Sequence, residues 1–242
     1  MAPPDNDVLW ARDLEHAHRG SPALLGVSLG VRQGEILAVT GPRGSGKSTL
    51  LACLSGQLRP DAGEVWFNGV PLHELPPAAR DRLRRERFGW VGESPQLVPE
   101  LTAWENAALP LLLSGVGGRE ARRTVAEWLE RLDVADCARV RPAGLRQAQR
   151  QRVAIARALA HKPDVLFADE PTAPLHRADR AQVLRTLTTA GRTHAITVVL
   201  ASHEPEVATL GDRTVELVDG RTTAPATAAE GREDEVTCSL SG

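Results

Sequence analysis

No apolar run in this 242-residue chain is long enough to span a bilayer, for which about 18 to 20 residues are needed. The best is Ala107-Ala108-Leu109-Pro110-Leu111-Leu112-Leu113, and the N-terminus carries Pro and Asp where a secretion signal has basic and then apolar residues. The expectation is a cytoplasmic protein without a membrane span of its own. Cysteine is scarce: Cys53, Cys137 and Cys238 are far apart and lack metal-ligand spacing, so reduced thiols are expected and neither a disulfide framework nor a zinc site is. Charge of one sign is also lacking. A net charge of −2 gives no general pull toward nucleic acid, and the arginines at 80, 82, 84, 85 and 87 alternate with Asp81 and Glu86 as on a solvated helix face. Tyrosine is absent, and lysine occurs only at Lys47 and Lys162, every other basic residue being arginine.

One of those two lysines lies in Gly41-Pro42-Arg43-Gly44-Ser45-Gly46-Lys47-Ser48-Thr49. The apolar run Ile36-Leu37-Ala38-Val39-Thr40 precedes this stretch and Leu50-Leu51-Ala52-Cys53-Leu54 follows it, the pattern of strand, glycine-rich loop and helix. Glycines at 41, 44 and 46 let the backbone curl so that successive N–H groups point inward, and the helix opening at Lys47 adds its positive end to that concavity. The product is a socket for phosphate. Lys47 reaches the β- and γ-phosphates as a compact charge, which suits a point contact better than arginine's planar fork, and the Ser48 hydroxyl ligates a bridging Mg²⁺.

A second constellation completes the site. Val165-Leu166-Phe167-Ala168-Asp169-Glu170 is an apolar strand ending in two carboxylates, and Ser202-His203 follows the apolar strand Thr197 to Ala201. If both strands are central and parallel, Asp169 comes near the phosphate loop and can hold the metal, while Glu170 is the candidate general base and His203 a partner for the γ-phosphate. Around these, Val8 to Arg12, Leu24 to Val31 and Glu64 to Phe67 read as strands of an antiparallel part, with a hairpin-type turn at Asn68-Gly69. Ala78 to Arg87 and Ala178 to Ala190 read as helices, and Phe88 to Val91 and Thr214 to Val218 as further strands. Between Pro95 and Ala160 three segments carry helical spacing, Glu105 to Leu113, Glu120 to Leu132 and Gln149 to Ala160, with no strand between them. The fold class expected is therefore α/β. Residues 1–94 are expected to form the first part of a phosphate-binding core with an antiparallel β sub-domain, 95–160 an inserted helical sub-domain with a signature-like segment, 161–221 the second part of the core, and 222–242 a flexible tail.

These motifs resemble the ATP-binding subunits of ABC transporters, in pattern those of the lipoprotein-release and macrolide-export type. The resemblance covers about residues 8 to 221. It is carried by Gly41 to Thr49, Pro99 to Asn106 with Leu109-Pro110-Leu111, Gln151 to Leu159, Asp169-Glu170-Pro171-Thr172, and Ser202-His203-Glu204. It implies a P-loop NTPase with a RecA-like core, ATP and Mg²⁺ as cofactors, and hydrolysis that drives transport through an integral-membrane permease on the inner face of the cell membrane. It also implies a second ATP-binding subunit, identical or not, meeting this one head to tail so that each ATP lies between one phosphate loop and the other subunit's signature segment.

Four positions depart from the family pattern. Anchored on Gln151-Arg152, the Leu-Ser-Gly-Gly-Gln signature falls on Leu145-Arg146-Gln147-Ala148-Gln149, without its serine and glycines. Where the family has a metal-sensing Gln after the strand at Phe88 to Val91 this chain has Glu93, still able to ligate a hard cation. His176 replaces an Asp beyond Glu170, and His18 stands where an aromatic stacks on adenine. The expectation is an exporter-type ATPase subunit working best opposite a partner with a complete signature. The alternatives are a nucleotide-binding regulatory subunit with little hydrolysis and a soluble, non-transport ABC protein.

Overall fold

The computed structural model describes residues 7–223. In chain order its strands and helices are β1 (Asp7–His18), β2 (Ser21–Arg32), β3 (Ile36–Thr40), α1 (Lys47–Leu54), β4 (Ala62–Phe67), β5 (Val70–Pro71), α2 (Pro77–Arg87) and β6 (Phe88–Val91). The chain continues through α3 (Ala103–Leu113), α4 (Gly118–Arg131), α5 (Gln147–Ala160), β7 (Val165–Asp169), α6 (Arg177–His194), β8 (Thr197–Ser202), β9 (Arg213–Val218) and β10 (Arg221–Thr223). Two sheets result, an antiparallel one ordered β2-β1-β4-β5 and a larger one ordered β10-β9-β3-β8-β7-β6. In the larger sheet every neighbouring pair from β9 to β6 is parallel, and only the edge pair β10-β9 is antiparallel.

The central parallel strands β3, β7 and β8 are apolar on both faces, as strands covered on both sides require, and the period of two decides what each residue meets. Ile36, Ala38, Leu166, Ala168, Val198 and Leu200 share one buried cluster with residues of α3, α4, α5 and α6. Their neighbours Leu37, Val39, Val165, Phe167, Val199 and Ala201 share the other with α1 and with Leu9, Leu14, Val27, Val65 and Phe67 of the antiparallel sheet. The helical stretch between β6 and β7 thus packs into the same core as one sheet face. Phe67, Phe88 and Phe167, the only phenylalanines in the chain, form an edge-to-face chain with centroids 4.8 and 5.3 Å apart, joining the two sheets.

Two local readings of the sequence differ from the structure. β1 runs past Arg12 to His18, because bulges between Ala11 and Leu14 and between Arg12 and Glu15 break the alternation while pairing resumes beyond them. Thr222 and Thr223, read as the start of a flexible tail, pair instead with Leu217 and Glu216 across the Asp219-Gly220 turn. Residues 224–242 of that tail lie outside the described residues.

Register lines up the carboxyl ends of the parallel strands. Thr40 pairs with Ser202, and Asp169 with Ala201. The residues that follow β3, β7 and β8, namely Gly41, Glu170 and His203, therefore emerge side by side along one edge, where ligands bind in open α/β sheets.

Candidate functional site

The loop after β3 wraps the start of α1 and is fixed by close backbone approaches that only glycine permits. Gly46 has φ 102°, and a Cβ there would lie 2.2 Å from the Ala23 carbonyl oxygen. At Gly41, φ 143°, it would lie 2.0 Å from the Leu217 carbonyl oxygen. Ser45 O accepts the Gly220 N–H at 3.1 Å, so the β9–β10 turn holds the loop from outside. No side chain caps α1, which leaves its first N–H groups to a ligand. Lys47 is buried and donates to the carbonyls of Gly41 and Pro42 at 2.9 and 2.8 Å, curling back over the loop. Burial lowers its pKa, and the charges of Glu170 and Asp169 oppose that shift. An anion in the concavity compensates this cation at a helix N-terminus, where the helix dipole disfavours positive charge.

Across the strand ends stand the carboxylates. Asp169 closes β7, buried, with its Oδ1 lacking any partner among the described residues. Burial raises its pKa, the nearby Ser48 hydroxyl opposes, and the charges of Glu170 and Glu93 add to the rise. Glu170 adopts φ 47°, a left-handed conformation uncommon outside glycine, asparagine and aspartate and of the kind found at functional sites. Its backbone N–H continues the ladder to Ala201 O at 2.9 Å. Its Oε2 accepts the Ser202 hydroxyl at 2.9 Å, and Oε1 accepts both the His203 N–H at 2.9 Å and His203 Nδ1–H at 2.8 Å. A proton on Nδ1 leaves Nε2 of His203 for a ligand, and a doubly protonated ring would donate on both sides.

A cleft of about 550 Å³ joins the two halves. Arg43, Gly44, Gly46, Lys47, Ser48 and Thr49 line one wall, Glu93, Glu170 and His203 another, and His18 with Ser21, Pro22 and Ala23 a third. His18 is placed by Nε2 at 3.0 Å from the Thr49 hydroxyl and by edge contact with His16 at 4.7 Å between centroids. Asp169 is absent from the cleft lining, which its sequence neighbour Glu170 reaches. The wall at Ser21 to Ala23, the first residues of the edge strand β2, had no signal in the sequence.

The segment Leu145 to Gln149 does not line this cleft. It opens α5, with Arg146 at the N-cap. Gln149 Oε1 accepts the Arg146 N–H at 2.9 Å, but a guanidinium has no acceptor to return the bond, so only half of a capping box forms. Gln149 is tied further to Cys137 Sγ at 3.0 Å. His176 is exposed at the N-cap of α6, outside the cleft lining.

A phosphate socket facing the carboxylates of Asp169 and Glu170 suits nucleoside triphosphatases of many kinds, and comparison with known proteins narrows the choice. A family model described as ABC transporter matches residues 24–173. The chain belongs to the ABC transporter ATP-binding family. As a member it is an ATP-binding subunit of a transporter and an ATPase. It is 42% identical over 198 residues to the ABC transporter ATP-binding protein YbbA of Escherichia coli, covering 82% of this chain and 87% of that one. With the lipoprotein-releasing system ATP-binding protein LolD 2 of Caulobacter vibrioides it shares 41% over 217 residues, 88% and 95% of the two chains. Among solved structures, the ATP-binding cassette MJ0796, a dimer in a post-hydrolysis state bound to ADP and Pi, superposes with a TM-score of 0.85 at 32% identity, covering 89% of this chain and 97% of that one. Among the described residues of this ABC subunit no helix is long and apolar enough to cross a membrane.

Proposed function

We propose that this ABC subunit drives an exporter-type transporter and hydrolyses ATP fastest opposite a second ATP-binding subunit whose signature is complete. What carries the reading is the asymmetry between its two surfaces: a cleft furnished with Lys47, Ser48, Glu170 and His203, and an α5 start stripped of hydroxyl and glycine. The loop backbone, with Gly41 to Thr49, cradles the phosphates, and Lys47 leaves its two carbonyls to hold the β- and γ-oxygens. Glu170 accepts a proton from a water aimed at the γ-phosphorus, the bond to the β-bridging oxygen breaks, and ADP and phosphate leave. With both ring nitrogens protonated, His203 donates from Nε2–H to the γ-phosphate while its Nδ1–H holds Glu170. His18 sets the base against an imidazole.

The donor set fits Mg²⁺: Ser48 offers a neutral oxygen, Asp169 a buried carboxylate oxygen without a partner, and Glu93 a second carboxylate on the lining. Bound there, Mg²⁺ supplies neutralisation of the phosphate charge. Attachment to the cytoplasmic face of the membrane is through an integral-membrane permease, as in the LolD-type systems it resembles.

A regulatory subunit with little hydrolysis is the second reading, favoured by an α5 start that has Arg146, Gln147 and Ala148 in place of a hydroxyl and glycines. Turnover measured with and without a signature-complete partner separates the two. Stimulation of at least about tenfold supports the asymmetric ATPase, since each lost donor to a transition-state anion is worth on the order of 10² to 10³ in rate. No stimulation supports the regulatory reading.

A further inference from the structure

The side chain of Gln151 is fully buried on α5, between two loops that reach the cleft from different strands. Its Nε2 donates to the Gly92 carbonyl at 2.9 Å and to the Pro171 carbonyl at 3.0 Å. Gly92 is the residue before Glu93, and Pro171 the residue after Glu170. The amide cannot be turned over, because Oε1 would then face two carbonyl oxygens. With nitrogen there both protons are used, and Oε1 is left without a partner among the described residues. A buried polar group costs stability when unpaired, so a Gln retained amid Val153, Ala154 and Ile155 needs a reason beyond packing.

Helix α5 grips the first of these loops a second time, through Arg157 Nη1 to Gln96 O at 2.6 Å. Asn106 of α3, buried, ties the far end of the same loop by a Val98 N–H bond at 2.7 Å and bonds to the Val98, Leu101 and Thr102 carbonyls at 3.0 to 3.1 Å. The loop from Gly92 to Thr102 is thereby fixed to helices and is not free to follow Glu93 alone. The Pro171 end has a tie to β8 in the bonds from Ser202 and His203 to Glu170.

We propose that Gln151 is a positioning residue that couples the two carboxylate-bearing loops of the cleft, so that a ligand-driven shift at Glu93 is passed to the Glu170 loop through one amide. This deepens the ATPase reading and rests on it. Gln151 touches neither nucleotide nor reacting atoms. Its effect is on whether the two loops respond together.

Amide hydrogen exchange of the full chain, with and without MgATP, reads this directly and needs no turnover. In the wild type the peptides covering 92–98 and 170–175 are expected to change protection together on ATP binding. Gln151→Met keeps the volume and removes both donors. It is expected to bind ATP within about threefold of wild type, yet lose at least about two thirds of the response in one of the two peptides. Equal responses in both peptides of the variant, or a parallel loss of ATP affinity and of both responses, would overturn the proposal. If Gln151→Met fails to fold, Gln151→Leu, which also lacks both donors, is read in the same two peptides: loss of at least about two thirds of one response supports the role, and both responses at the wild-type level overturn it. A wild type that binds no ATP would overturn the nucleotide-site reading, and this inference with it.

Discussion

Oε1 of Glu170 accepts two bonds from one residue, the backbone N–H of His203 at 2.9 Å and its Nδ1–H at 2.8 Å. The carboxylate is thus held by the end of the neighbouring strand, with Ser202 on its other oxygen. Glu170→Gln is expected to lower turnover of an active assembly by about 10² to 10⁴ while ATP affinity stays within about threefold, since it removes the proton acceptor alone. Steady-state ATPase rates beside ATP titration check this, and unchanged turnover would end the general-base assignment.

Lys47→Ala should weaken binding of MgATP by about tenfold or more, the equivalent of one charge-assisted bond of roughly 1.5 to 3 kcal/mol. The lysine exchanges carbonyls of Gly41 and Pro42 for phosphate oxygens, so part of the gain is already offset by those bonds. Titration of a fluorescent ATP analogue against both proteins is the measurement.

Asp169→Asn should do two things at once. It removes a buried negative charge that burial already disfavours, so the nucleotide-free protein is expected to melt a few degrees higher, and it reduces the Mg²⁺ dependence of ATP binding. A thermal melt and ATP titrations with and without Mg²⁺ read both. A lower melting temperature with unaltered metal dependence would contradict the role.

Stability should fall as pH drops through the histidine range. Burial holds the pKa of His161 below the ordinary 6.5, and burial with Lys162 and Arg131 does the same to His194. The unfolded chain therefore binds more protons than the folded one just below pH 6.5, and stability is lost as pH falls through 6.5 toward the lowered values. The urea midpoint is expected to be lower at pH 5.5 than at pH 7.5, and the difference to shrink in His161→Leu. A midpoint unaffected by pH over this window would contradict the assignment.

The phosphate loop was legible because its residue types answer backbone demands one by one: Gly46 and Gly41 stand where a Cβ would strike the Ala23 and Leu217 carbonyls. The parallel core was legible for a similar reason, since strands apolar at every position, such as Val165 to Ala168, suit only a sheet covered on both faces. Other features depend on partners far along the chain. Nothing in Arg12 to Glu15 announces that pairing resumes after a bulge, and Thr222-Thr223 become a strand only because Leu217 and Glu216 offer an edge. Gln151 was visible as part of a family segment, but its two carbonyl partners lie 59 and 20 residues away and leave no trace in helical periodicity. The nearness of His203 to Glu170 required the strand order, which places β8 beside β7.

The steady-state ATPase rate of the purified chain alone, beside that of the triple variant Arg146→Ser, Gln147→Gly, Ala148→Gly, tests the asymmetric reading most directly. The wild type is expected to turn over far more slowly than about 1 s⁻¹, and the variant at least about tenfold faster, with Glu93 and His176 holding it below the rate of a complete family member. A wild type turning over at about 1 s⁻¹ or faster, with no gain from the triple change, would contradict the account.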